Sequence, residues 1–237
     1  MDLACADYRA IGVALLTPPA TAAPTARWEA RLLDVPLTGR PAVEPLVAWL
    51  RRVAAEHGVS VLCIDGPLGW KAPDTDAPHC RLSERAVRAP GKTGLPPDGV
   101  KPRTYLAFTT FSIAVFEQLT MLHGWHLPGQ DAPLERDGAG LVTESFPTAA
   151  WRALGLTPLI AKSRASDADV ADAIDRLSEA VPLALPARCT HDQLQAIVGG
   201  IAGISLLTHG PTSVRLAGNP PFRLDGSWRE GYIMVPA

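Results

Sequence analysis

The sequence predicts an α/β fold: a mixed five-stranded sheet with helices on both faces, in a single domain spanning residues 1–237. Three observations point there. Short aliphatic stretches of strand length alternate with longer stretches whose apolar residues recur at helical spacing. Their order reads strand, strand, strand, helix, strand, helix, strand, helix. Acidic residues also stand where apolar runs give way to turns.

Taken in order, MDLACADYRAIGVALL holds two short apolar stretches around the polar ADYRA. ARWEARLLDVPL then alternates apolar with charged residues, so the opening reads as a three-strand meander. PAVEPLVAWLRRVAAEHG places Val43, Leu46, Val47, Leu50 and Val53 at helical spacing, with Pro41 near the start and Gly58 as the stop. VSVLCI has the unbroken β-branched and aliphatic character of a strand buried on both faces, and Asp65 stands at its end. From residue 71 to 103, Pro, Gly, Asp, Lys and Arg dominate around RLSERAVRA, which is long enough for two helical turns. Inside a compact domain such an inserted basic loop is functional or disordered.

YLAFTTFSIAVFEQLTMLHGW reads as a second buried helix, and LVTESF as a short strand carrying Glu144 at its tip. SDADVADAIDRLSEAV is an acidic amphipathic helix, and THDQLQAIVGGIAGISLL a final apolar one capped by Thr190 or Asp192. Gly199, Gly200 and Gly203 predict close packing there. The tail offers turn signals and one apolar run, YIMV, suited to an edge strand.

With 47% hydrophobic and 19% charged residues, the chain can bury a sizeable core. A net charge of -2 and a pI near 6.3 give no global basic footprint, so a polyanion would have to meet a local patch. Cys5, Cys63, Cys80 and Cys189 form no CxxC pair and no secretory signal accompanies them, which predicts free thiols and a cytoplasmic protein. Every hydrophobic segment is cut by charge, Gly or Pro before the ~20 residues of a membrane span, so no membrane partner is expected. The oligomeric state stays open, a homodimer included.

The element order is that of a ribonuclease H-like fold, which carries its site at strand ends. Asp2 at the start of the first strand, Asp65, Glu144 and Asp192 would converge on one edge of such a sheet. Clustered carboxylates raise one another's pKa unless a cation neutralises them, and Mg²⁺ or Mn²⁺ suits oxygen ligands. Two such ions about 3.5–4 Å apart activate a water and stabilise a leaving phosphate oxygen. Each acid also has a plainer reading. Asp65 before Gly-Pro is a turn former, Glu144 an edge charge, Asp192 an N-cap, and Asp2 lies where a terminus frays. The basic residues of the loop are by default a solvated face. GKTG at residues 91–94 lacks the upstream Gly of a phosphate loop, His79, Cys80, Cys189 and His191 lack zinc-module spacing, and no GxSxG elbow is present.

IDGPLGW, RLSERAVR, ESFPTAAW and HDQLQA, following MDLACADYRAIGVALL, together resemble a widespread bacterial and archaeal family of unknown function, domain of unknown function four-two-nine. That family is regarded as ribonuclease H-fold nucleases, and the resemblance spans nearly the whole chain. It implies a metal-dependent nuclease or phosphodiester hydrolase with Asp2, Asp65 and Glu144 as acidic-site residues, to which the position of Asp192 at the start of the last helix adds a fourth. It also implies that Arg81, Arg85, Arg88 and Lys162 contact a phosphate-bearing substrate, either nucleic acid or a phosphorylated small molecule. Glu84 falls in the same Arg-rich stretch. Two departures stand out: Gln195 occupies a position where related nucleases carry a second helix acid, and Asp2 follows Met1 directly, which makes Asp7 an alternative first-strand acid. A non-catalytic nucleotide-binding module, or a small-molecule enzyme or phosphotransferase on the same fold, is the alternative.

Overall fold

A computed structural model describes residues 1–19, 26–77, 80–89, 99–100, 103–129 and 140–237. His79, Lys92, Lys101 and the GKTG stretch lie outside the described residues. The fold is α/β, with helices on both faces of its sheets, but the predicted single five-stranded sheet is replaced by two mixed sheets of three and four strands. In the first, β1 (Ala14–Thr17) pairs antiparallel with β2 (Trp28–Leu32), and β2 pairs parallel with the short β5 (Leu183–Ala184). In the second, β3 (Val61–Asp65), β4 (Leu141–Ser145) and β7 (Ser227–Pro236) run parallel, and β6 (Val214–Leu224) closes the edge antiparallel to β7.

The expected first strand is where the single sheet fails. It is reduced to one residue, Asp2, which bridges Gly12 on the antiparallel side and Asp65 on the parallel side. Pairing there is limited to these isolated bridges, and the two sheets part between β1 and β3.

One face is covered by α1 (Val43–His57) and α3 (Leu106–Leu122), separated in the chain by the short α2 (Leu82–Ala86); Leu46, Val47 and Leu50 of α1 and Val115, Phe116 and Leu119 of α3 are buried with Ile64 of β3 and Val142 of β4. Gly58 ends α1 in the left-handed conformation, φ 61°, where its missing side chain removes the strain. Residues Arg103–Leu122 form a 20-residue helical run of mean hydropathy 1.3, long and apolar enough by composition to cross a membrane. The sequence reading takes this stretch as a buried helix but not as a run of membrane-spanning length; in the fold its Phe111, Val115, Phe116 and Leu119 pack the core of this face, while Met121 and Leu122 are exposed.

The opposite face carries α4 (Pro147–Ala153), α5 (Asp167–Ala180), α6 (His191–Gly199) and α7 (Ile201–His209). The single final helix predicted from sequence is broken in two at Gly200. Thr190, not Asp192, caps α6: its side chain accepts from the Gln193 N–H while Gln193 reaches back to the Thr190 N–H. The glycine packing is as anticipated. A Cβ on Gly199 would lie 2.9 Å from Ser145 Oγ, one on Gly200 2.6 Å from Leu16 Cδ1, and one on Gly203 3.3 Å from Val61 Cγ1.

The tail departs from its expected edge strand. β7 is interior, between β4 and β6, and β6 is the edge. The Asn-Pro-Pro stretch of β6 looks like a break in the sequence, but it sits in a bulge where the β6–β7 register shifts between Asn219 and Phe222. All four cysteines are free thiols.

Candidate functional site

Strand pairing decides which acids meet. Residues paired across a sheet share a face, and successive residues alternate. Asp2 pairs with Asp65 and Asp65 with Ser145, so these three project to one face. That is the face of α6, as the approach of Gly199 to Ser145 confirms. Glu144 pairs with Ile64 and therefore projects to the opposite face. The sequence reading placed Glu144 with the other acids because both strands end in an acid, but the register is offset by one residue.

Glu144 is instead part of a buried ion cluster. Arg81 holds it in a two-pronged contact, at 2.7 Å to Oε1 and 2.8 Å to Oε2, and the Leu68 N–H donates to Oε2 at 2.8 Å. Burial raises the Glu144 carboxyl above its ordinary pKa even against the guanidinium, and Arg81, despite burial, is held charged by Glu144 and Glu84. Arg81 has 0% exposure and is engaged by Glu144 rather than facing solvent: it ties the start of the helix Leu82–Ala86 to β4, and through Glu144 to the Leu68 N–H of the turn after β3. Glu230 lies beside this cluster with φ 56° and accepts from the N–H groups of Ala72 and Leu82, at 2.9 and 3.2 Å. Neither Glu230 nor Lys71, which is buried and donates to the Ala72 carbonyl at 2.8 Å, stood out in the sequence.

On the α6 face, Asp2 and Asp65 are both partly exposed, and among the described residues no side-chain donor is bonded to either carboxyl. Burial raises Asp2 to about 7, and the charge of Asp192 adds to the rise. Asp65 is pushed well above the ordinary carboxyl range by burial, then by Asp2 and Glu144. The carboxylates thus form an electrostatic row, Asp192, Asp2, Asp65 and Glu144, of which the first three share a face.

Asp192 reaches Asp2 because Gly12 lets it. A Cβ at Gly12 would lie 2.2 Å from the Asp192 carbonyl oxygen, so the first turn of α6 rests directly on the strand that pairs with Asp2. Burial works to raise the Asp192 carboxyl, but the neighbouring His191 imidazole and the Lys162 ammonium outweigh it and hold the pKa below its ordinary value. Lys162 pairs with Asp192 Oδ2 and keeps 59% of its side chain exposed. His191 Nδ1 lies 3.5 Å from Asp192 Oδ1, and its Nε2 lies 2.9 Å from the Ile160 carbonyl. In the sequence His191 lacks zinc-module spacing, and its place beside the acid gives no sequence signal beyond adjacency.

The remaining predicted residues are scattered. Arg85 is exposed and donates to the Asp76 carbonyl at 2.8 Å, while Arg88 is exposed with φ 56°. Gln195 is a packing residue, since its carbonyl accepts from Trp151 Nε1 at 3.0 Å and ties α6 to α4. Asp7 caps a short 3-10 turn and pairs with Arg9, which draws it down to about 2, so Asp2 is the acid that the strand pairing places beside Asp65. Ser145 was missed altogether: its buried hydroxyl has no partner and lies across from Asp65.

Among the described residues no three of His, Cys, Asp and Glu converge into a closed metal cage. Of the four acids expected from sequence, Asp2, Asp65 and Asp192 lie on one face and Glu144 projects to the other. Asp2 and Asp65 do fit one hard divalent cation, because they are unpartnered oxygen donors of raised proton affinity, and Mg²⁺ is commonly held by one or two carboxylates with retained waters. Compared with protein-family models, curated proteins and solved structures, the chain gives no match.

Proposed function

We propose that the chain is a metal-dependent phosphodiester hydrolase with a ribonuclease H-like sheet, of the kind implied by its resemblance to the four-two-nine family. The observation that carries this reading is the pairing of Asp2 with Asp65 on adjacent strands, with Asp192 facing Asp2 from α6. The strand order supports it. Counted through the Asp2 bridges, the order runs β2, β1, the Asp2 segment, β3, β4, so the chain's first strand lies centrally between its second and fourth.

Asp2 and Asp65 would hold Mg²⁺ or Mn²⁺. When bound, the ion supplies charge neutralisation and a water of lowered pKa. Asp192, kept ionised by Lys162 and His191, is placed to orient or accept a proton from a water near Asp2. Lys162, Arg85 and Arg88 are exposed cations available to a phosphate; Lys162 is the one tied to the acids. A cytoplasmic nucleic acid is the leading partner. A phosphorylated small molecule is the second reading, favoured by the net charge of -2 and by the engagement of Arg81 with Glu144 rather than with solvent.

The test is hydrolysis of RNA, duplex DNA, branched DNA and an activated phosphodiester with Mn²⁺, comparing the wild type with Asp65→Asn. Hydrolysis by the wild type, reduced at least about a hundredfold in the variant, is expected. Equal turnover by both proteins, or none by the wild type on any of the four, contradicts it.

A further inference from the structure

Ser145 ends β4 on the face that also carries Asp2 and Asp65. It is 2% exposed, and its hydroxyl has no hydrogen-bond partner. Taking a hydroxyl out of water without a partner is unfavourable, and an alanine would end a buried strand without that cost. An orphaned hydroxyl of this kind points to an acceptor that it engages in another state of the site.

Its surroundings narrow the choice of acceptor. Glu144 pairs with Ile233, so the same register sets Met234 of β7 beside Ser145, and Met234 is buried among Cys63, Ala202 and Leu206. From α6, Gly199 meets it: a Cβ there would lie 2.9 Å from the Ser145 Oγ and 3.6 Å from Pro147 Cγ. Gly199 therefore leaves the hydroxyl room to turn and supplies no side chain to receive it. On the remaining side stands Asp65, directly opposite in the β3–β4 ladder. Adjacent strands lie about 4.8 Å apart, a gap that a carboxyl and a hydroxyl close by rotation about their χ1 bonds.

Asp65 has its two neighbours on opposite sides of β3, the Asp2 segment on one and Ser145 of β4 on the other. We propose that Ser145 is a positioning residue for the cation that Asp2 and Asp65 would hold: its hydroxyl donates to the Asp65 oxygen nearer β4 and turns the other oxygen towards Asp2. Such a bond is strongest to an ionised carboxylate, the form that binds a cation. A carboxylate anchored through one oxygen presents the other as a fixed ligand atom, where an unanchored one rotates. The role rests on the cation-site reading of Asp2 and Asp65, and adds to it a neutral residue that touches neither substrate nor ion.

The test is calorimetric titration of the wild type and Ser145→Ala with Mn²⁺ at pH 8, with urea unfolding of both proteins without the ion. Ser145→Ala should bind Mn²⁺ at least about tenfold more weakly. Its unfolding midpoint without the ion should equal that of the wild type or exceed it, because an unpaired buried hydroxyl has gone. Equal binding by both proteins overturns the role of Ser145 and leaves the cation site standing. Weaker binding that comes with a lower unfolding midpoint overturns the role too, because the serine would then be holding the end of the strand. No binding by either protein overturns the cation site and this role together.

Discussion

Asp2 and Asp65 are carboxyls that the fold keeps from ionising freely. The folded pKa of Asp2, about 7, lies above the ordinary 3.8, so between those values the folded state holds a proton that the unfolded chain has released. Stability should therefore fall as pH rises from about 4 through about 7, with Asp65 acting in the same direction. We expect urea unfolding to give a wild type about 1–3 kcal/mol less stable at pH 8 than at pH 5, and a flatter profile in Asp2→Asn. A profile for Asp2→Asn as steep as that of the wild type would refute the assignment. Gly12 works at the same scale through its missing side chain. Gly12→Val drives atoms into the backbone at Asp192, and should cost about 3 kcal/mol or more in urea unfolding while weakening the influence of Asp192 on Asp2.

Among elements, the turn after β3 is held by charge. Gly66 fits because a Cβ there would lie 2.4 Å from Ser112 Oγ, and the Leu68 N–H and Arg81 both seize Glu144. Arg81→Met leaves Glu144 buried without its cation, and should destabilise by about 3–5 kcal/mol in thermal or urea unfolding. Adding Glu144→Gln should recover part of that loss, because the uncompensated charge is gone. If the double variant is no more stable than Arg81→Met, the ion pair is not what holds the turn. This network was illegible in the sequence, since nothing in RLSERAVR distinguishes an arginine that points inward from one that faces water. The helices α1, α3 and α5 and the strands β3 and β4 were legible, because apolar spacing in PAVEPLVAWLRRVAAEHG and the solid run VSVLCI depend on burial alone; α4 was not read, and α6 and α7 were read as one helix. The β6–β7 hairpin was not, because its Gly, Asn and Pro residues mark turns locally and only the partner strand turns them into a bulge. The site was half legible for a related reason. Asp65 is visible as an acid ending a buried run, but whether Glu144 or Ser145 stands across from it depends on a register that no single strand encodes.

At the scale of the molecule, strand pairing joins the two sheets through the Met1–Asp2 segment, and Asp2 is an acid of the candidate site. Sheet continuity and site geometry are thus the same problem in this fold: whatever holds Asp2 between Gly12 and Asp65 also sets the spacing of the carboxylates. A cation bound by Asp2 and Asp65 should relieve their repulsion and stabilise the whole chain, more at pH 8 than at pH 5, because the carboxyls must release protons to bind it. The most direct measurement is calorimetric titration of the wild type, Asp2→Asn and Asp65→Asn with Mn²⁺ at pH 8. The account predicts saturable binding of one ion by the wild type, weakened at least about tenfold in each variant. No binding by the wild type at millimolar Mn²⁺, or equal binding by all three proteins, would contradict it.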